Sequence, residues 1–189
     1  MKTYIRLIVI LTLTCLLWTA LLAGVNVLTR DRIAAAALAG EIEAARNVLP
    51  ADLPAPELRG FGAVSNYVSL APDGRLLGAA VKGRSSNGYG GAITLMVGFT
   101  ADGTLNNFDV LDAQETPGLG SKIKSEDFKV RIRGRPATAR WQVRRDGGEI
   151  DAITAATISS RAALEAIRDA AAHFAMIRQT LSGGATETP

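Results

Sequence analysis

The stretch Ala92-Ile93-Thr94-Leu95-Met96-Val97-Gly98-Phe99-Thr100, then Ala101-Asp102-Gly103, then Thr104-Leu105-Asn106-Asn107-Phe108-Asp109-Val110-Leu111-Asp112, decides the fold. Two runs rich in β-branched and aromatic residues flank an Asp-Gly pair. That is a strong hairpin signal, because glycine accepts the left-handed backbone a tight turn demands. A second hairpin precedes it, with Tyr67 to Ala71 and Leu76 to Lys82 on either side of Asp73-Gly74. Ala137 to Arg145 alternates around Trp141 before Asp146-Gly147-Gly148 and reads as a further strand. The pattern predicts a twisted antiparallel sheet.

Downstream the period changes from two to about 3.6. Ala163, Ile167, Ala170 or Ala171, Phe174 and Ile177 recur at three- and four-residue intervals, with Arg161, Glu165, Arg168, Asp169 and Arg178 mostly on the other side. This is an amphipathic helix. Gly183-Gly184 ends it, and Ala185 to Pro189 read as a frayed tail. Its start is unusual: Asp151-Ala152-Ile153-Thr154-Ala155-Ala156-Thr157-Ile158-Ser159-Ser160 places several hydroxyls where backbone N–H groups lack intrahelical partners. Ser and Thr are common N-caps, and one suffices to cap a helix. The same hydroxyls, spaced by small alanines at the positive end of a helix dipole, would equally seat a phosphate. On the residues alone both readings stand.

Two loops beside the expected strand ends combine rigid and permissive residues. Asn87-Gly88-Tyr89-Gly90-Gly91 sets an aromatic among glycines, and Gln114-Glu115-Thr116-Pro117-Gly118-Leu119-Gly120-Ser121-Lys122 follows a strand. Either is an ordinary connection or a place where a flat ligand is received.

Upstream, Leu7 to Leu28 is free of charge over about 22 residues, the length of a membrane-spanning helix. Lys2 and Arg6 before it set the amino terminus on the cytoplasmic side. A cleaved signal peptide is the competing reading, but the apolar run is too long for one and no small-x-small site follows. Thr29 is expected to cap a second helix from Arg30 to Val48, stopped by Pro50, with Pro54 and Pro56 stiffening a spacer that stands the domain off the membrane. The single cysteine, Cys15, lies inside the apolar run, so the remainder has no disulfide or cysteine-held metal. No metal site is expected. Arg131, Arg133, Arg135, Arg144 and Arg145 lack interleaved aromatics, which argues against nucleic acid and for a solvated strand face or contact with anionic lipid.

These elements predict an α+β chain: 1–6 cytoplasmic, 7–28 a transmembrane helix, 29–56 a membrane-proximal helix and spacer, 57–182 one extracytoplasmic domain with a twisted antiparallel sheet and flanking helices, and 183–189 a flexible tail.

Taken together, Gly88-Tyr89-Gly90-Gly91-Ala92-Ile93, Glu115-Thr116-Pro117-Gly118-Leu119-Gly120 and Asp151-Ala152-Ile153-Thr154-Ala155-Ala156-Thr157, in that order behind one membrane span, resemble the FMN-binding domain family. Within it the resemblance is to the G subunits of Rnf ion-translocating electron transport complexes and, more distantly, to the C subunits of sodium-translocating NADH:quinone reductases. It covers nearly the whole chain. It implies covalent FMN, joined through its phosphate to Thr157, the Thr that ends the motif. It further implies that Asp151, Thr154, Ala155, Ala156, Ser159 and Ser160 surround the attachment point, and that Tyr89, Gly90, Glu115, Thr116, Gly118, Leu119 and Gly120 lie along the cofactor. Many members have Gly where this chain has Ala155.

The implied function is electron relay by one component of an ion-translocating oxidoreductase in the cell inner membrane. Its domain would be periplasmic, and its partners the other membrane subunits of the Rnf complex, a flavin transferase and the bilayer. No independent catalysis is expected: the chain has a single His, His173, and Ser121-Lys122-Ile123-Lys124 lacks the companion motifs of an acylating serine. A stand-alone flavin domain feeding a reductase and an anchored scaffold are the alternatives. Ser182-Gly183-Gly184-Ala185-Thr186 imitates the attachment motif but has no helix after it.

Overall fold

The computed structural model describes residues 2–61 and 64–183; the tail expected beyond Gly183 lies outside the described residues. The chain forms two compact units, Met1–Gly40 and Glu41–Pro189.

The first unit belongs to α1 (Lys2–Val48), which is long and apolar enough to cross a membrane. Its leucines, isoleucines and valines from Ile5 to Leu38 are exposed, as a lipid-facing helix requires. The expected break at Thr29 does not occur. The Thr29 hydroxyl donates to the Val25 carbonyl at 2.8 Å, as Thr12 and Thr14 do to Ile8 and Ile10. A threonine bonded to the carbonyl four residues back is accommodated inside a helix rather than starting one.

The second unit is a five-stranded antiparallel meander of β1 (Glu57–Phe61), β2 (Val64–Leu70), β3 (Leu76–Ser85), β4 (Ile93–Thr100) and β5 (Leu105–Ala113), neighbours in the order β1-β2-β3-β4-β5. Both aspartate–glycine turns are present, with Gly74 at φ 84° and Gly103 at φ 92°. After β5 come a 3₁₀ turn (Gly120–Lys124), α2 (Glu126–Val130), a second 3₁₀ turn (Arg144–Asp146) and α3 (Thr157–Gly183).

Both sheet faces are covered, so β4 is buried without a break from Leu95 to Phe99. Val81, Leu95, Val97 and Phe99 face α3, whose Ala163, Ile167, Ala170, Phe174 and Ile177 are all buried; Phe99 stacks on Phe174 at 4.7 Å between ring centroids. Tyr67, Ala80 and Met96 face the other way, onto Ala44, Ala45, Val48 and Leu49. There the Val48 carbonyl, one of the last of α1, accepts a bond from Asn106 Nδ2 at 2.8 Å. It lies where a Cβ on Gly98 would stand 2.1 Å away, so this helix end requires a glycine beneath it.

Two sequence expectations fail here. Ala137 to Arg145 is not a strand: the chain touches the sheet at the single bridge Thr104↔Pro136 and then turns, with Trp141 Nε1 donating to the Ala137 carbonyl at 3.0 Å. Pro136 has no N–H with which to extend the ladder. The alternation reflects burial of Trp141 and Val143 in a loop, where Val143 makes only an isolated bridge to Ile150. Conversely, β1 occupies residues expected to adjoin a spacer, pairing Glu57 with Val68 through Phe61 with Val64.

Candidate functional site

Register places the site. Ser85 lies opposite Ile93, and Ile93 opposite Ala113, so the β3–β4 loop and the loop after β5 leave the same end of the sheet. The start of α3 reaches that end as well: the Ser85 hydroxyl and Asn87 Nδ2 both donate to Glu165 Oε2 at 2.8 Å. Three segments distant in sequence converge there on a pocket of about 470 Å³, lined by Tyr89, Thr116, Leu119, Gly120, Ala155, Ala156, Thr157, Ile158 and Ser159. Its volume suits a small-molecule cofactor.

The loops meet backbone to backbone at Gly90, and the Glu115 side chain packs beside Gly120. A Cβ on Gly90 would fall 1.5 Å from the Gln114 carbonyl oxygen, and one on Gly120 would fall 2.3 Å from Glu115 Oε2. Glycine at both positions is therefore a packing requirement. Glu115 ties the walls together, accepting from the Ser159 hydroxyl at 2.6 Å and from the Gly90 N–H at 3.4 Å.

The start of α3 shows how the hydroxyl cluster is used. Ala156 is the N-cap, its carbonyl accepting the first intrahelical bond from the Ser160 N–H at 3.0 Å. An alanine N-cap offers the first turn no side-chain acceptor. The Ser160 side chain is turned into the core, accepting from the Ile153 N–H and donating to the Ala156 carbonyl, both at 2.9 Å. Ser159 is committed to Glu115. Thr157 is the first helical residue, half-buried on the pocket wall. The N–H groups of Thr157, Ile158 and Ser159 precede the first intrahelical bond and carry the positive end of the dipole.

Ala155 sits just before this turn at φ 62°, the left-handed region. That angle favours glycine, and Ala is admitted there at a modest cost.

Several expected site residues lie away from the pocket. Ser160 is buried behind it. Thr154 lines a separate cavity with Lys122 and Arg131. Gly118 is not among the lining residues; its φ of 76° serves the turn, whose N–H donates to Ser121 Oγ at 2.9 Å. Gly90 and Glu115 act from behind the wall. Asp151 is exposed and gripped by Arg144 through bonds of 2.8 and 3.1 Å, which hold its carboxyl below the usual carboxylate range. With Arg131 Nη1 donating to the Asp151 carbonyl at 2.9 Å, this fixes the approach to the helix. Arg161 adds a second fork onto Asp146 at 2.6 and 2.7 Å.

One lining residue escaped the sequence reading: Ile158, an apolar side chain 48% exposed within a hydroxyl cluster. With Tyr89 and Leu119, also exposed, it gives the pocket an apolar rim opposite its polar helix end. Among the described residues no group of acidic, His and Cys side chains is placed to hold a metal.

An apolar-rimmed pocket at the start of a helix, in a meander packed against one long helix, fits a protein that binds a small-molecule cofactor. Residues 88–172 match the FMN-binding domain family. The NqrC structure of Shewanella oneidensis shares the fold at TM-score 0.51 and 19% identity, over 63% of this chain and 61%, less than two thirds, of that one.

The chain is 33% identical to the G subunit of the ion-translocating oxidoreductase complex of Vibrio atlanticus, over 86% of each protein. It is 32% identical to that of Escherichia coli K12, over 90% of this chain and 89% of the relative. With that of Cereibacter sphaeroides it shares 37% identity, over 84% and 78%. The chain belongs to the family of G subunits of ion-translocating oxidoreductase complexes.

Proposed function

We propose that the pocket holds FMN joined through its phosphate to Thr157 Oγ1, and that the chain relays electrons inside a membrane-bound ion-translocating oxidoreductase complex. The observation that carries the reading is Thr157 on the pocket wall, at a helix start whose N-cap is alanine. Three N–H groups and the dipole there lack a side-chain acceptor and favour a phosphate. FMN supplies acceptance and release of electrons; the protein supplies binding and electrostatics. Thr157 would provide the attachment oxygen, the N–H groups of Ile158 and Ser159 would receive phosphate charge, and Tyr89, Leu119 and Ile158 would supply the apolar surface for the rest of the cofactor. Family membership supports the same role.

The chain does not catalyse alone. Residues 7–28 contain no ionisable side chain apart from the Cys15 thiol, so they offer no ion path, and neighbouring membrane subunits supply it. A flavin transferase makes the ester. The basic residues Lys2 and Arg6 before the span favour an amino terminus in the cytoplasm and the domain on the periplasmic side.

The test is Thr157→Ala in the full chain, read by in-gel flavin fluorescence after denaturation and by intact mass. Loss of flavin is expected, with Thr154→Ala, outside the pocket, remaining loaded. Covalent flavin on Thr157→Ala would refute the attachment.

A further inference from the structure

We infer that Glu115 is a positioning residue whose carboxylate fixes the pocket walls from behind and places a negative charge there that lowers the reduction potential of a flavin held at Thr157. The inference rests on the functional reading above. Glu115 lines no part of the pocket itself, yet its Oε2 is bonded to Ser159, and Gly120 is close enough that a Cβ would stand 2.3 Å from that oxygen; both neighbours are lining residues. Its Oε1 accepts from the Gly90 N–H and lies 2.7 Å from where a Cβ on Gly88 would be. The carboxylate is therefore one residue behind the wall, closed in by two loops and the first turn of α3. Half-buried, it is screened less than a surface charge.

Two consequences separate. The hydrogen bonds hold the Tyr89 loop against the helix start, which sets the shape of the pocket. The charge opposes the arrival of electrons in the pocket, because each electron gained adds negative charge close to a fixed anion. Gln in place of Glu115 keeps an acceptor for Ser159 and removes the charge, together with the long 3.4 Å bond from the Gly90 N–H, which an amide NH2 cannot accept. Glu165 is a built-in comparison: it holds the same loop from its other end, through Ser85 and Asn87, two turns along α3 from the pocket.

The experiment is redox titration of the full chain, purified in detergent from cells that flavinylate the wild type, for Glu115→Gln and Glu165→Gln. Glu115→Gln should stay fully loaded with a midpoint potential more positive than wild type, and Glu165→Gln should move it less. An unmoved potential, an equal move in Glu165→Gln, or loss of flavin from Glu115→Gln would each overturn the inference. A wild-type chain without covalent flavin would instead be the failure of the functional reading. Hydrogen exchange then still tests the clasp: Glu115→Ala should speed exchange at 88–91 while the middle of α3 stays protected, and unchanged exchange there would overturn it.

Discussion

Ala155 holds a backbone angle that an L-residue adopts at a cost of about 1–2 kcal/mol. Glycine would relieve that cost but would also gain about 0.4–1 kcal/mol of freedom in the unfolded chain. Ala155→Gly should therefore raise unfolding stability by up to about 1 kcal/mol, readable in urea titration of the detergent-solubilised chain, without loss of flavin. A lower midpoint would mean that the Ala155 methyl contributes contacts that outweigh the strain. A second residue-scale expectation concerns Asp102 in the β4–β5 turn. Hydrogen bonds from the Thr100 and Thr104 hydroxyls bring its carboxyl down to about 2. The unfolded group titrates near ~3.9, so its contribution is complete above that pH and is lost as the pH falls towards the native value. Asp102→Asn should approach wild-type stability as the pH drops through this window. A difference that stays constant across it would remove Asp102 as the cause. The glycines divide in the same way: sequence flags Gly90, Gly118 and Gly120 alike, but only contacts show that Gly90 and Gly120 serve packing while Gly118 serves conformation.

At the scale of elements, α3 depends on close approach. A Cβ on Gly83 would meet the Ala166 carbonyl oxygen at 2.0 Å and the Ala170 Cβ at 2.8 Å, so Gly83→Ala should push the helix off β3 and cost about 1–3 kcal/mol in thermal or denaturant unfolding. Wild-type stability in that variant would mean the helix can shift freely. Ser160→Ala should cost about 1 kcal/mol, because it leaves the Ile153 N–H without its acceptor in the core. The sequence made the two hairpins and α3 legible because local chemistry defines them: Asp-Gly turns, and a period of 3.6 on an alanine background. It did not reveal β1, whose short Glu57–Phe61 run follows prolines and takes its strand character from pairing with β2. Ala137 to Arg145 misled for the opposite reason, since burial alternated while its pairing stayed at the one bridge Val143↔Ile150. The site was legible as three motifs. Which hydroxyl faced the pocket depended on packing: Ser160 is drawn into the core, Ser159 to Glu115, and Thr157 is left on the wall.

For the whole molecule, the charge-free run in α1 and the basic residues before it lead to a topological expectation. A periplasm-active reporter fused after Pro189 should be active, with the protein retained in the membrane fraction. An inactive reporter would reverse the orientation, and a shortened soluble product would identify the helix as a cleaved signal.

The order of elements also carries a consequence in time. Every strand pairs with its sequence neighbour, so the meander can assemble before the residues that follow it, but the wall bearing Thr157 belongs to α3. Until residues 157–183 have emerged and docked on β3 and β4, two loops face each other with nothing between them to bind to. Flavin attachment at Thr157, as proposed, would thus wait for α3 to dock, and a chain cut before residue 157 should carry no flavin.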